Sequence, residues 1–87
     1  MYIALAYDIS SDCANRVRKH CEQYLVRAQK SVFEGEMSEK NYNRLKGILE
    51  AEIDPEQDSV IIYRLDSFGA VKKESIGKTM LASLDYL

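Results

Sequence analysis

The sequence predicts an α+β domain in which two helices pack on one face of an antiparallel sheet. Three observations lead to this prediction. Two segments carry apolar residues at helical spacing, the segments around them are rich in β-forming residues, and 87 residues suffice for one domain only. With 46% hydrophobic and 30% charged residues, the composition is that of an ordinary globular protein, so the elements can be taken in order along one folded unit.

The first strand and the first helix account for residues 2–7 and 12–26. Residues 2–7 (YIALAY) are apolar on both strand faces, which is typical of a central strand that is covered on each side. Ser10, Ser11 and Asp12 offer N-cap oxygens for the helix that follows. The apolar stripe of this helix has helical spacing and consists of Cys13, Val17, Cys21, Tyr24 and Leu25.

An extended middle segment and a second helix come next. In residues 25–37, β-formers alternate imperfectly with polar residues and Gly35 allows a kink or bulge, so this is one long strand or two broken ones. The second helix begins at Ser38 and stops at Asp54 and Pro55, because the residue before a proline avoids the helical region. Its apolar face consists of Tyr42, Leu45, Ile48, Leu49 and Ile53.

Two further strands complete the domain. Residues 59–65 (SVIIYRL) form the clearest strand, and Asp66, Ser67 and Gly69 then supply turn chemistry before a last strand at residues 70–76. The resulting order is the ferredoxin-like βαββαβ pattern with an extra C-terminal strand.

We expect residues 1–77 to form the ferredoxin-like domain and residues 78–87 to form a tail. The tail carries more apolar surface than a free terminus should expose, so we expect it to dock on the partner in a dimer. Small domains bury a smaller share of their surface than large ones, and dimerisation would relieve this thin stability margin.

Charge and motif content narrow the function classes. The net charge of −2 argues weakly against a protein whose main task is gripping a polyanion, although residues 1–30 carry five Lys and Arg against three acids. None of the four glycines makes a nucleotide-binding loop, which argues against an ATPase or a dehydrogenase. No apolar run is long enough to cross a bilayer, and residues 1–10 lack a basic region and a cleavage site, so we expect a cytoplasmic protein without membrane contact.

The cysteines and the single histidine offer no metal site by themselves. On a helix, Cys13 and Cys21 would lie about 12 Å apart along the axis, too far for a disulfide, and both are expected to be reduced core residues. Their spacing matches no zinc pattern, so a site with His20 would need ligands from another subunit. His20 itself is read as a surface or boundary residue.

Asp8 is the strongest candidate for a functional residue. It directly follows the first strand, so a rigid element would present its carboxylate to solvent. Position alone leaves two readings open: a functional carboxylate, or an Asx turn or N-cap that binds amides of the following loop. A functional Asp8 would suit a hard divalent cation such as Mg²⁺, which takes oxygen ligands. One carboxylate holds such an ion weakly, and a two-fold dimer would bring two Asp8 residues to one site.

Phosphate contacts would come from arginines near this strand end. The available phosphate binders are Arg16, Arg18 and Arg27. Arg16 and Arg18 fall outside the apolar stripe of the first helix, so the simplest interpretation is that they lie on its solvated face. Tyr7 or Phe33 could stack on a base or fill the core, and we favour the core for both.

Several segments taken together resemble one known family. They are residues 5–8 (LAYD) with 9–10 (IS), residues 27–35 (RAQKSVFEG) and residues 58–65 (DSVIIYRL). Their order and spacing resemble the small CRISPR-associated ferredoxin-like endonuclease of the spacer-adaptation module, the partner of the CRISPR integrase. The resemblance covers about residues 1–65.

The resemblance implies a homodimeric, metal-dependent endonuclease that acts on RNA or DNA phosphodiesters, with Mg²⁺ as the expected cofactor. It makes Asp8 the metal ligand and the catalytic residue. Arg16 and Arg18 match family positions less cleanly than the others, because the loop after Asp8 differs in length. Three further residues match positions of the family: Tyr7, Arg27 and Phe33.

Two alternatives to catalysis stay open at this point. The first is a non-catalytic dimeric scaffold that binds duplex DNA and bridges the CRISPR integrase during spacer acquisition, with Asp8 structural or vestigial. The second is an unrelated ferredoxin-like module for small-molecule sensing or subunit interaction.

Overall fold

The computed structural model describes residues 1–66 and 69–78, and within them the strands and helices follow the predicted order. The βαββαβ pattern with an extra C-terminal strand is therefore confirmed. The elements are β1 (Tyr2–Asp8), α1 (Ala14–Glu22), β2 (Val26–Gln29), β3 (Val32–Glu36), α2 (Glu39–Glu52), β4 (Ser59–Leu65) and β5 (Val71–Gly77).

The sheet has the strand order β2-β3-β1-β4-β5, and all neighbouring strands are antiparallel. β1 lies at the centre, where Leu5 is opposite Phe33 on one side and Ile62 on the other. The predicted extended segment 25–37 divides into β2 and β3, whose register shifts between Arg27 and Gln29. Because β1 is the central strand, its C-terminal end lies in the middle of one end of the sheet, with β3 on one side and β4 on the other.

Both helices pack on one face of the sheet, as predicted. Ile3 and Leu5 are fully buried on this face, whereas Ala4 and Ala6 on the other face are only half-buried. The expectation that both faces of β1 are covered is therefore wrong for the described residues of one chain. We call the other side the open face; by strand alternation and register it carries Tyr2, Ala4, Ala6, Asp8, Val32, Glu34, Ile61, Tyr63, Leu65 and Lys73.

α1 is shorter than the predicted range 12–26. Its N-cap residue, Cys13, makes no side-chain cap hydrogen bond, so the expected capping by Ser10, Ser11 or Asp12 is wrong. Both serines are instead bound by Asp58, which lies more than forty residues further along the chain. At the other end, the chain leaves the helix after Glu22 to enter β2.

The core lies between the sheet and the two helices. Cys13 and Cys21 are both free and buried in it, which confirms two reduced, apolar cysteines. α2 begins at the predicted Ser38, whose hydroxyl accepts a hydrogen bond from the Asn41 amide. The tail predicted at residues 78–87 lies outside the described residues except for Lys78.

Candidate active site

Asp8 is the last residue of the central strand β1, and it lies on the open face at the end of that strand. Its backbone is held in the ladder opposite Ser59, and its side chain is exposed. Among the described residues, the Asp8 carboxylate forms no ion pair and accepts no hydrogen bond. The amides of Ser10 and Ser11, which an Asx turn or N-cap at Asp8 would bind, donate to Asp58 instead. The carboxylate of Asp8 is thus left available to a ligand.

A cleft of about 330 Å³ opens beside Asp8, between the end of β1, the start of α1 and the β2–β3 turn. Its walls bring together side chains that are distant in sequence. The polar and aromatic members are Tyr7, Asp8, Asn15, Arg18, Arg27, Lys30 and Ser31. One carboxylate therefore lies in a cleft with three cationic side chains, the arrangement expected where a carboxylate and a phosphate share a site.

The three predicted arginines do not lie together. Arg18 lines the cleft and pairs with Glu22 at 2.6 Å, and Arg27 lines it from the hairpin, donating to the backbone oxygen of Lys30 at 2.9 Å. Arg16 lies outside the cleft lining, where its Nε donates to Glu52 of α2 at 2.7 Å. A nucleic-acid role for Arg18 and Arg27 stays a prediction with geometric support; for Arg16 the geometry offers none.

The Arg16–Glu52 contact joins the two helices. The hydrogen bond from Arg16 holds the pKa of Glu52 below its ordinary range. His20, read from sequence as a boundary residue, is half-buried beside the same carboxylate, with Nε2 3.9 Å from it. Release of Arg16 for a phosphate contact would leave Glu52 without its closest cation.

The two aromatic residues, Tyr7 and Phe33, form one stack. The rings of Tyr7 and Phe33 have centroids 6.1 Å apart and an interplanar angle of 20°. Phe33 is fully buried, as the core reading predicts, whereas Tyr7 is half-buried and lines the cleft. Burial raises the pKa of the Tyr7 hydroxyl, so it stays a neutral donor at physiological pH.

Sequence reasoning missed three polar residues of the cleft, Asn15, Lys30 and Ser31. Lys30 sits in the β2–β3 turn, and Asn15 in the first turn of α1. The signal for Lys30 was present, because it belongs to the basic N-terminal third of the chain and follows Arg27 within one hairpin.

Asp8 could hold Mg²⁺ as a single carboxylate ligand that is completed by other oxygen donors. The described residues contain no group of three or more His, Cys, Asp and Glu side chains that could hold a metal ion. Mg²⁺ is usually held by one or two carboxylates together with waters and substrate phosphate oxygens, and Asp8 provides one such carboxylate. The chain alone thus offers a weak Mg²⁺ ligand that a substrate phosphate or a second Asp8 would strengthen.

Fold and cleft together define a small ferredoxin-like protein whose exposed carboxylate and nearby cations suit a nucleic-acid phosphodiester. Comparison with known proteins is consistent with this class. A family model described as CRISPR associated protein Cas2 matches residues 1–72. The chain therefore belongs to the Cas2 family, which confirms the resemblance seen in the sequence.

Individual relatives match over most of their length. The CRISPR-associated endoribonuclease Cas2 of Thermococcus kodakarensis is 43% identical over 77 residues, which cover 88% of each chain. The CRISPR-associated endoribonuclease Cas2 2 of Archaeoglobus fulgidus is 39% identical over 88% of this chain and 84% of its own. The crystal structure of Streptococcus pyogenes Cas2 superposes with a TM-score of 0.67 at 29% identity, covering 76% of this chain and 87% of the other.

Within residues 1–66 and 69–78, neither helix has the length and apolar character that a bilayer span requires.

Proposed function

We propose that this chain is a CRISPR-associated, metal-dependent endoribonuclease in which Asp8 is the catalytic and metal-binding residue. The observation that carries the proposal is the unpaired, exposed carboxylate of Asp8 in a cleft with Arg18, Arg27 and Lys30. Relatives in the family are named endoribonucleases, which favours RNA as the substrate. A DNA phosphodiester offers the same phosphate chemistry and is the comparison substrate.

In the proposed mechanism, the residues of the chain bind and orient the scissile phosphate. Asp8 would hold Mg²⁺, which neutralises phosphate charge and lowers the pKa of a bound water when it is present. Arg18 and Arg27 contact the non-bridging oxygens, and the planar guanidinium suits this geometry. Lys30 adds a third positive charge at the β2–β3 turn, and the exposed part of Tyr7 borders the path of a neighbouring base.

Metal dependence is the direct test of this proposal. Labelled single-stranded RNA and duplex DNA are incubated with the native chain in Mg²⁺ and in excess chelator, and products are resolved on a denaturing gel. We expect RNA cleavage in Mg²⁺ and none in chelator, because Asp8 alone provides no activated water. Cleavage that continues at the same rate in chelator would contradict a metal-dependent mechanism.

The cleft also predicts which arginines contribute to substrate binding. Arg27→Ala removes a guanidinium that lines the cleft and should raise KM for RNA about tenfold, the value of one charge-assisted hydrogen bond. Arg16→Ala is the matched control, because Arg16 pairs with Glu52 outside the cleft lining and should leave KM within about twofold. Steady-state kinetics on the two variants decides between the cleft and a general effect of charge.

The open face supports a homodimer. It carries apolar side chains that are partly exposed, among them Tyr2 (37%) and Leu65 (41%), which pair at one end of β1 and β4, although a stable monomer normally keeps such patches small. Glu34 on β3 and Lys73 on β5 lie in one register row across the sheet, at opposite sides of β1. A two-fold axis along β1 would place Glu34 of each copy opposite Tyr63 of the other, with the partner's Lys73 one strand further from the axis on the same side.

The same axis has a consequence for catalysis. Asp8 lies on the open face of the central strand, so the two copies of Asp8 would approach each other across the axis. Two carboxylates would then be available for one Mg²⁺, which removes the weakness of the site in a single chain.

Ala4→Lys tests the dimer, because Ala4 is on the central strand of the open face. Two lysines close to the axis would repel each other and lose their hydration, so we expect the dimer dissociation constant to rise on the order of 100-fold. Sedimentation equilibrium measures this constant, and Ala51→Lys on the exposed surface of α2 is the matched control. An unchanged constant for Ala4→Lys would place the interface elsewhere.

The remaining predicted partners and the location are part of the proposal. The CRISPR integrase stays a predicted partner on the strength of the family. The tail expected to dock in the dimer lies outside the described residues beyond Lys78. A cytoplasmic location stays a prediction as well.

A further inference from the structure

Asp58 is a fully buried carboxylate that receives five hydrogen bonds. Its Oδ1 accepts from the amides of Ser10 and Ser11 at 2.8 and 3.0 Å. Its Oδ2 accepts from the Ser11 hydroxyl at 2.6 Å, the Asp54 amide at 2.8 Å and the Cys13 thiol at 3.4 Å. Burial alone would raise the pKa of Asp58, but these hydrogen bonds outweigh it and hold the pKa well below its ordinary range.

Four of the five hydrogen bonds to the Asp58 side chain come from a loop that is distant in sequence. The Asp54 amide belongs to the loop of Asp58 itself, whereas the other four donors belong to residues 10–13, which connect β1 to α1. A carboxylate that only shaped its own turn would not need them. Asp58 therefore fixes the segment that follows Asp8.

Asp8 is thereby held from both directions along the chain. On one side, its backbone is paired with Ser59, the residue directly after Asp58. On the other side, Ser10 and Ser11 are bound by the Asp58 carboxylate, so that Ile9 alone separates the two anchors.

We propose that Asp58 is the positioning residue of Asp8, which it holds at the rim of the cleft without touching the substrate. This proposal rests on the proposed function of Asp8. A catalytic carboxylate is effective only when its supporting contacts fix its geometry, and loss of such contacts typically costs about 10- to 100-fold in activity or metal affinity. Asp58 has a second role that does not involve its side chain: its backbone oxygen accepts a hydrogen bond from the Lys78 amide at 2.7 Å.

Asp58→Asn is the decisive variant. The amide keeps the size of the side chain but replaces one oxygen by a donor, and donors face both oxygens in the native chain. In either orientation of the amide, its NH₂ group meets N–H or O–H groups. We expect kcat for RNA to fall about 10- to 100-fold, with KM within about threefold because the cleft arginines are unchanged.

Ser11→Ala is the milder variant and does not depend on the folding of Asp58→Asn. It removes the 2.6 Å hydroxyl contact and leaves both amide contacts in place, so its kcat should fall in the same direction by a smaller factor. Leu45→Ala is the control for stability, since Leu45 is buried on α2 and makes none of these contacts. All rates are compared at a temperature where circular dichroism shows each chain fully folded.

A measurement without turnover separates this proposal from the proposed function. In the native chain, the ¹³C carboxyl resonance of Asp8 should be a single sharp line, and in Asp58→Asn and Ser11→Ala it should broaden or split. If the native chain cleaves no RNA, the proposed function fails and this resonance still tests the positioning of Asp8. An unchanged resonance in both variants, or an unchanged kcat in folded Asp58→Asn, or a kcat loss no larger than that of Leu45→Ala, would overturn the role of Asp58.

Discussion

Replacement of Asp8 by Asn should abolish Mg²⁺-dependent RNA cleavage, with a fall in kcat of more than about 100-fold. The substitution keeps the size of the side chain and removes its charge, and a neutral amide is a poor Mg²⁺ ligand compared with a carboxylate. Loss of a group that only supports a ligand already costs about 10- to 100-fold, so loss of the ligand itself should cost more. Single-turnover kinetics with labelled RNA measures this effect directly.

Asp12→Asn is the matched control for this experiment. Asp12 is an equally small acid four residues further along, with its side chain 98% exposed and 4.0 Å from Arg16. Its replacement should leave kcat within about twofold, because an exposed ion pair contributes little. Equal rates for the native chain and Asp8→Asn would eliminate the catalytic role of Asp8.

The same experiment distinguishes the scaffold alternative. A scaffold would bind duplex DNA with similar affinity in the native chain and in Asp8→Asn, and neither would cleave RNA or DNA in Mg²⁺. The proposed nuclease instead keeps RNA binding in Asp8→Asn, because Arg18, Arg27 and Lys30 are retained, and loses only cleavage. Binding and cleavage measured on one preparation therefore separate the two functions.

The order of the elements could be predicted because it depends on local patterns. Residues 59–65 form β4 with the predicted bounds, since a run of β-formers ends at clear turn residues. The start of α1 could not be predicted in the same way. Ser10 and Ser11 look like caps in sequence, but a buried carboxylate from the other half of the chain binds them, and only the tertiary structure shows this.

The candidate site follows the same division. Asp8 stood out because a carboxylate directly after an apolar strand is a local signal, and the family resemblance supported it. Arg16 could not be separated from Arg18 in sequence, because its partner Glu52 lies on the other helix and only helix packing brings the two together. The partner of Arg18 is a local one, Glu22 four residues further along α1. No role was predicted for Asp58, which entered only as the first residue of the segment 58–65. An acid directly before a buried strand is nevertheless unusual.

Gly77→Ala should lower the free energy of unfolding by about 3 kcal/mol. Gly77 ends β5 with φ of +82°, a left-handed conformation that costs an alanine about 1 to 2 kcal/mol. An added Cβ would also lie 2.8 Å from the Ile53 side chain and closer still to the Asp58 backbone oxygen, and such overpacking costs about 1 to 3 kcal/mol. Thermal unfolding should show a midpoint at least about 12 °C lower in a domain of this size.

Gly47→Ala is the matched control, because the same change of residue should have the opposite sign there. Gly47 lies inside α2, where an added Cβ meets no described atom within 4 Å, and alanine is favoured over glycine in a helix by about 1 kcal/mol. Its unfolding midpoint should rise by about 4 °C. Equal stability of Gly77→Ala and the native chain would mean that the end of β5 can move away from Asp58. The hydrogen bond from Lys78 to Asp58 would then not be required to hold that strand end in place.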